Sequence, residues 1–282
     1  MRRERVADDI YVFSSEMYAQ VTAGAIVTSE GTVLIDTLVF PEETKAIRNF
    51  LKTRLNTEVR YVINTHYHAD HTYGTYLFPD AFIVSHALCY DLIDTKGREG
   101  LQNAQQNSRA FREIEIRLPH LVFESGIFEI RLGGKTIRLR HSPGHSDDSI
   151  VALVKEDRVL FAADTLMPVP YFVDGDYNDF IQSLSALKNG SFENVVQGHG
   201  EVILRGEVES KIESDLAYLH EVNKHVQIAL SKPDPKGYVL SIDIEQCGKS
   251  RIPLNGGVQD LHRGNMLSLL EKMSAFEKEV GD

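Results

Sequence analysis

The stretch Val62–Gly74, "VINTHYHADHTYG", places His66, His68, Asp70 and His71 within six residues, directly behind a short apolar run. His66 and His68 are two apart, so in extended or loosely turned backbone their rings leave on one side and can converge on one ion. On a helix, residues two apart diverge. Asp70 and His71 come where the loop can begin a helix and present a second pair of ligands. Imidazole together with carboxylate suits zinc, manganese or iron, and the lack of a thiol removes any bias towards soft metals. The competing reading is a polar loop whose rings are satisfied by backbone hydrogen bonds, which is the ordinary reading for a lone histidine.

Three later stretches bear on that choice. "RHSPGHSDDS" sets His145 in a glycine-containing turn, "VLFAADTLM" sets Asp164 directly behind an apolar strand, and "VVQGHGE" sets His199 between glycines behind another. Taken singly, His145 can cap a turn, Asp164 can open one and His199 can lie at the surface. Taken together, all sit where a rigid sheet can aim them, and the strand ends can meet at one sheet edge.

The rest of the chain supplies the sheets. "AGAIVTSEGTVLIDT" reads as a hairpin with Ser29, Glu30 and Gly31 at its turn. Pro41, followed by Glu42 and Glu43, opens a helix whose apolar stripe is Ala46, Ile47, Phe50, Leu51 and Leu55. "VRYVIN" and "DAFIVSH" are buried-strand candidates. The segment after the second is helical in pieces around Gly97 and Gly100. Residues 127–165 hold four strands joined by Gly-Gly, Pro-Gly and Glu-Asp turns. Two helices follow, Glu207–Leu230 with a stripe of Ile212, Leu216, Leu219 and Val226, and Gln259–Val280. Between them lies irregular chain with one short strand. Alternating helices and strands followed by hairpins imply sheets with helices outside them.

A chain of 282 residues can bury a large core. Its two cysteines, Cys89 and Cys247, form no C-x-x-C pattern and suit a reducing compartment. The N-terminal stretch turns acidic before any apolar segment appears, and no run reaches the roughly 18 to 20 apolar residues that span a bilayer. We therefore expect a soluble, cytoplasmic protein without membrane contact. With a net charge of -11 and no single-sign basic stripe, nucleic acid is not expected as a partner. "GGKTIRLRH" reads as a strand with a solvated basic face.

The full His-x-His-x-Asp-His run of His66, His68, Asp70 and His71, with His145, Asp164 and His199 in order behind it, resembles the metallo-β-lactamase superfamily. The resemblance implies an α+β fold, a four-layer αββα sandwich, with the catalytic domain over residues 1–205 and a mainly helical extension over 206–282. It also implies two divalent ions, zinc first with iron or manganese as alternatives. His66, His68 and His145 would hold one, Asp70, His71 and His199 the other, and Asp164 would bridge them. A hydroxide between the ions would attack a small ester, lactone or thioester, with Asp70 orienting water or accepting its proton.

The family divides by chemistry. A bridging aspartate is like that of glyoxalase II, lactonase and phosphodiesterase branches and unlike typical β-lactamases, and alkylsulfatases depart from this histidine-rich opening. A mononuclear iron persulfide dioxygenase, a β-lactamase-like or phosphodiester hydrolase and a noncatalytic metal-binding protein are the alternatives. Asp36 resembles the family aspartate that supports the first histidines. Asn64 and Thr65 are expected to fix the loop, and Ser142, Ser146 and Asp148 to orient His145. Tyr171 is the candidate to hydrogen-bond a substrate carbonyl. The extension can cover the site's rim, complete the core or form a homodimer contact.

Overall fold

The first seven strands form one sheet in chain order: β1 (Arg2–Ala7), β2 (Ile10–Ser14), β3 (Thr22–Thr28), β4 (Gly31–Ile35), β5 (Val59–Ile63), β6 (Phe82–His86) and β7 (Leu121–Phe123). Neighbours from β1 to β4 are antiparallel, and from β4 to β7 parallel. Parallel pairing needs crossovers. These carry α1 (Pro41–Arg54), α2 (Ala69–Thr72), and α3 (Ala87–Leu92) with α4 (Arg98–Asn107). The computed structural model describes residues 1–281, with side chains through Ala275.

A second sheet holds β8 (Ile127–Leu132), β9 (Lys135–His141), β10 (Ile150–Val154), β11 (Val159–Ala163), β12 (Asn194–Gln197) and β13 (Ile203–Leu204) as consecutive neighbours. All its pairs are antiparallel except β11 with β12, which are linked over α5 (Tyr177–Leu187). The chain then runs through α6 (Val208–Leu230), α7 (Pro235–Ser241) and α8 (Val258–Gly281). This is the expected α+β architecture of two mixed sheets flanked by helices, with a helical C-terminal extension.

Three apolar layers hold it together. Ile26, Val33 and Ile63 of the first sheet face Leu139, Ala152 and Phe161 of the second, all at most 2% exposed. Gly24 makes this approach close, because a Cβ there would stand 2.0 Å from the Phe161 ring. On the outer face of the first sheet, Ile47 and Leu51 of α1 cover Phe13, Leu34 and Val62. On the outer face of the second, Phe180 of α5, Ile212 and Leu219 of α6, and Met266 of α8 share one cluster with Leu160 and Val195. Strands buried on both faces read as continuous apolar runs, as β11 (VLFAA) does. The extension thus completes the core of the second sheet. No helix among the described residues is long and apolar enough to cross a membrane.

Three local expectations need correction. Ala46 is exposed, and the buried face of α1 instead includes Glu43 and Thr44. Glu43 tolerates burial because its carboxylate accepts from the Ser15 hydroxyl at 2.6 Å and the Glu16 N–H at 3.1 Å. The segment between α6 and α8 holds α7 and short 3₁₀ turns rather than a strand. Asp234 caps α7 by accepting from the Gly237 N–H, and Pro235 takes its first position. Finally, the chain after β6 is helical in pieces as expected, with α3 and α4 joining through a π-turn over Ile93–Gly97, but Gly100 lies inside α4 and not at a break.

Candidate metal centre

Every polar residue singled out at a strand end reaches the same edge of the sandwich. His66 and His68 follow β5, and α2 begins directly behind them and carries Asp70 and His71. His145 lies in the turn from β9 to β10, Asp164 follows β11 and His199 follows β12. The turn at His145 depends on Gly144, whose φ of +133° disfavours any side chain and whose Cβ would meet the Phe180 backbone at 2.3 Å. The Ile150 N–H donates to the Thr65 carbonyl at 2.9 Å, tying the loops of the two sheets together.

Two separate triads result, His66, His68 and His145, and Asp70, His71 and His199, and a third group of His66, His71 and Asp164 overlaps both. Within each, one ligand-type atom per residue lies within 4.8 Å of the others. Asp164 sits between them. Its Oδ2 lies 3.3 Å from His145 Nε2 and 3.4 Å from His199 Nε2, and its Oδ1 lies 3.2 Å from His71 Nε2.

Each ring has one nitrogen engaged outside this space. His66 Nδ1 meets the Thr65 hydroxyl at 3.1 Å, His71 Nδ1 meets Asp36 at 2.8 Å and His145 Nδ1 meets the Tyr171 carbonyl at 2.7 Å. His199 Nδ1 meets the Ala19 carbonyl at 2.9 Å. His68 is turned the other way, with Nε2 at 3.1 Å from Asp174 and Nδ1 facing the Nε2 atoms of His66 and His145 at 3.0 and 2.9 Å. Five nitrogens are therefore aimed inward with their tautomers set from behind, which is the arrangement that metal-binding histidines require. His71 Nε2 and Asp164 Oδ1 are buried with no hydrogen-bond partner despite their closeness. A cation between them would satisfy both, so the donor set fits divalent metal ions.

The electrostatics agree. Burial pulls His66 well below its ordinary pKa, assisted by His71, and pulls His145 down to about 4. At His71 and His199 burial acts in the same sense, but neighbouring carboxylates, Asp164 foremost, outweigh it and push His199 up to about 10. Burial works to raise Asp70 and Asp164, yet the adjacent imidazoles hold both below the usual carboxylate range. The side chains alone thus favour positive charge between these carboxylates, whether as protons or as a metal cation.

A cleft of about 390 Å³ opens onto the two triads, lined on their side by His68, Asp70, His145, Asp164 and His199. Tyr18 and Tyr171 contribute phenols. Asp70 and then burial raise the pKa of Tyr18, and burial and then Asp174 raise that of Tyr171, so both remain protonated donors.

Asp36 acts more widely than expected, since it accepts from Thr65 N–H and hydroxyl and fixes His71 as well as the loop. Asn64 reaches Thr75. Ser142, Ser146 and Asp148 make no bond to the His145 ring. Ser142 and Ser146 meet Thr165 and Ser149, and both Asp148 oxygens are buried without a partner. The sequence reading missed Asp174, which joins His68, Tyr67 and Lys96, and Tyr18 and Ala19, which come from a loop with no motif. Only the Asp-Gly-Asp turn at 174–176 marked that place.

The Metallo-beta-lactamase superfamily model matches residues 18–206. The chain belongs to the metallo-β-lactamase superfamily. Among its relatives, an atrochrysone carboxyl ACP thioesterase of Claviceps purpurea is 24% identical over 205 residues, 73% of this chain and 58% of its own. A β-lactamase-like protein 2 homolog of Caenorhabditis elegans is 26% identical over 148 residues, 52% and 44% of the two chains. The chain spans about half the length of the curated relatives it matches. A metallo-β-lactamase family protein from Thermus thermophilus shares the fold with a TM-score of 0.72 at 17% identity, over 98% of this chain and 95% of its own. The stereoselective inverting sec-alkylsulfatase of a Pseudomonas species does so with a TM-score of 0.73 at 14% identity, over 96% and 50%.

Proposed function

We propose that this protein is a metal-dependent hydrolase acting on a small ester, lactone or thioester. The observation that carries the reading is the convergence of five imidazoles and two carboxylates at the floor of a cleft, each ring fixed from behind. His66, His68 and His145 would hold one divalent ion, Asp70, His71 and His199 a second, with Asp164 shared between them. When bound, such ions supply Lewis acidity and a water that ionises near neutral pH. Zinc is the first choice, because this borderline-soft ion suits mixed nitrogen and oxygen donors.

The chain's own groups orient the reaction. Asp70 lines the cleft with its Oδ2 3.3 Å from His199 Nε2. We assign it the orientation of the attacking water, since a carboxylate shared with a metal is a poor free base. Tyr171 offers a phenol donor for the substrate carbonyl oxygen, and Tyr18 a second. Hydrolysis breaks the acyl carbon's bond to the leaving oxygen or sulfur. The water oxygen stays on the acid, and a water proton goes to the leaving group. The thioesterase name borne by one relative agrees with this substrate class.

The test is metal analysis of protein purified without chelator, followed by assay on lactone, thioester, ester, β-lactam and phosphodiester substrates. About two metals per chain and turnover of an acyl substrate are expected. Less than one metal per chain after reconstitution would overturn the dinuclear assignment. Iron with oxygen-dependent turnover of a glutathione persulfide would select the dioxygenase instead. His68→Ala should abolish turnover while circular dichroism shows the fold retained.

A further inference from the structure

We propose that the cleft seats the uncharged, apolar acyl chain of the substrate on Met167, Leu254 and Leu261. The proposal rests on the hydrolase reading for its chemistry, and on the cleft alone for its binding. At about 390 Å³ the cleft lies near the low end of the ~300–1,000 Å³ typical of small-molecule sites. Beyond the metal-centre side chains and the two phenols, its lining is apolar, and it includes no lysine or arginine.

Cations on the surrounding elements are committed elsewhere. Lys211 donates to the Met167 carbonyl and to Asp215, and Lys249 to Asp215 and Ser214. Lys96 donates to Asp174, Lys272 to the Gly175 carbonyl, and Arg251 to Asp243 and Glu245. An anionic group carried on the acyl chain, away from the metal centre, would find no counter-ion on the apolar wall, which is unfavourable for a buried charge.

The apolar wall is built with strain. Leu254 and Asn255 adopt φ of 53° and 56°, and Ala19 and Gln20, which share an adjoining hollow with Asn255, adopt 43° and 52°. Left-handed backbone is disfavoured for residues with a Cβ, and pairs of it tend to persist where function needs a particular placement. Here it places Leu254 in the cleft wall. Leu261 lies one turn before Gly264 on α8, so the two share a face. A Cβ at Gly264 would stand 3.3 Å from the Tyr171 ring, so glycine lets that ring lie against the helix. The C-terminal extension thereby supplies Leu254 and Leu261 of the acyl seat, beside Met167 from the loop after β11, and packs the tyrosine assigned to the carbonyl.

The test is binding of acetanilide, butyranilide and hexananilide to the zinc-loaded full chain by isothermal titration, with the matching 4-nitrophenyl esters for kinetics. Affinity should rise with length by up to about fourfold per methylene. Leu254→Asp and Leu261→Lys should each flatten the series at unchanged zinc content and circular dichroism. A flat wild-type series, variants as steep as the wild type, or an anilide with a terminal carboxylate on its acyl chain bound as tightly as hexananilide would overturn the proposal. A steep binding series with no turnover of any ester would leave the acyl seat standing and overturn the hydrolase reading.

Discussion

His145 donates its Nδ1 proton to the carbonyl oxygen of Tyr171 at 2.7 Å, so the backbone of residue 171 sets the direction of one ring of the metal centre. That backbone is itself gripped from α8. Asn265 donates to the Pro170 carbonyl at 2.7 Å and accepts from the Phe172 N–H at 3.1 Å, bracketing residue 171 on both sides. It also donates to the Tyr218 hydroxyl of α6 at 3.1 Å. The C-terminal helices therefore reach the metal centre through one fully buried amide.

Asn265→Ala should consequently damage both stability and metal binding. It strands the Phe172 N–H and the Pro170 carbonyl away from water, at ~1–3 kcal/mol per group, so a loss of about 2–6 kcal/mol is expected in denaturant unfolding. The triad containing His145 should lose affinity more than the triad containing His199. Cobalt titration monitored by visible absorption separates the two, and an unchanged spectrum would refute the coupling.

Asp174 fixes the one ring that faces the centre through Nδ1 instead of Nε2. Asp174→Ala frees His68 Nε2, and loss of such an outer partner typically lowers metal affinity 10–100-fold. Competition with a chromogenic chelator measures this. Lys96→Met removes only the lysine bond to the same carboxylate and should have a smaller effect in the same assay.

The strand ends were readable in the sequence because apolar runs and glycine turns state where a strand stops, and His66, His145, Asp164 and His199 lie at those stops. The outer partners were not. Asp174 and Ala19 act through a contact made across more than a hundred residues of chain, and Ala19 and Tyr171 use their carbonyls, which carry no side-chain signature. The burial of Glu43 was hidden for the same reason, since its partners Ser15 and Glu16 come from a distant loop. The strand read between α6 and α8 failed locally, where the Asp234-Pro235 pair is a helix-start signal that outweighs a short apolar run.

His262 gives the stability a pH dependence separate from the metal centre. It is buried on α8, with Nδ1 at 3.0 Å from the Tyr218 hydroxyl and Nε2 at 3.2 Å from the Ile242 carbonyl. Burial lowers its pKa below the ordinary 6.5, with the Ile242 carbonyl acting in the opposite direction. Above 6.5 the ring is neutral in both folded and unfolded chains. Below it the unfolded chain takes up a proton that the folded one resists, so stability falls as pH drops towards the folded pKa. Urea midpoints at pH 7 and pH 5 should differ less in His262→Gln than in the wild type. Equal differences would show that this ring does not titrate on unfolding.

Gly198 offers the sharpest test of the shared carboxylate. A Cβ at this position would stand 1.7 Å from Asp164 Oδ1 and 2.7 Å from the Ala163 carbonyl carbon. The Gly198 N–H also donates to the Ala163 carbonyl at 2.7 Å, so the two strand ends have no slack to separate. Gly198→Ala must therefore swing the Asp164 side chain away from the position between the two triads. Overpacking of this kind costs roughly 1–3 kcal/mol, which a fold with three apolar layers can absorb. We expect a folded protein whose metal content drops below two per chain by elemental analysis and whose acyl-substrate turnover falls at least tenfold. Two tightly held metals and wild-type turnover in a folded Gly198→Ala protein would show that Asp164 is not needed between them.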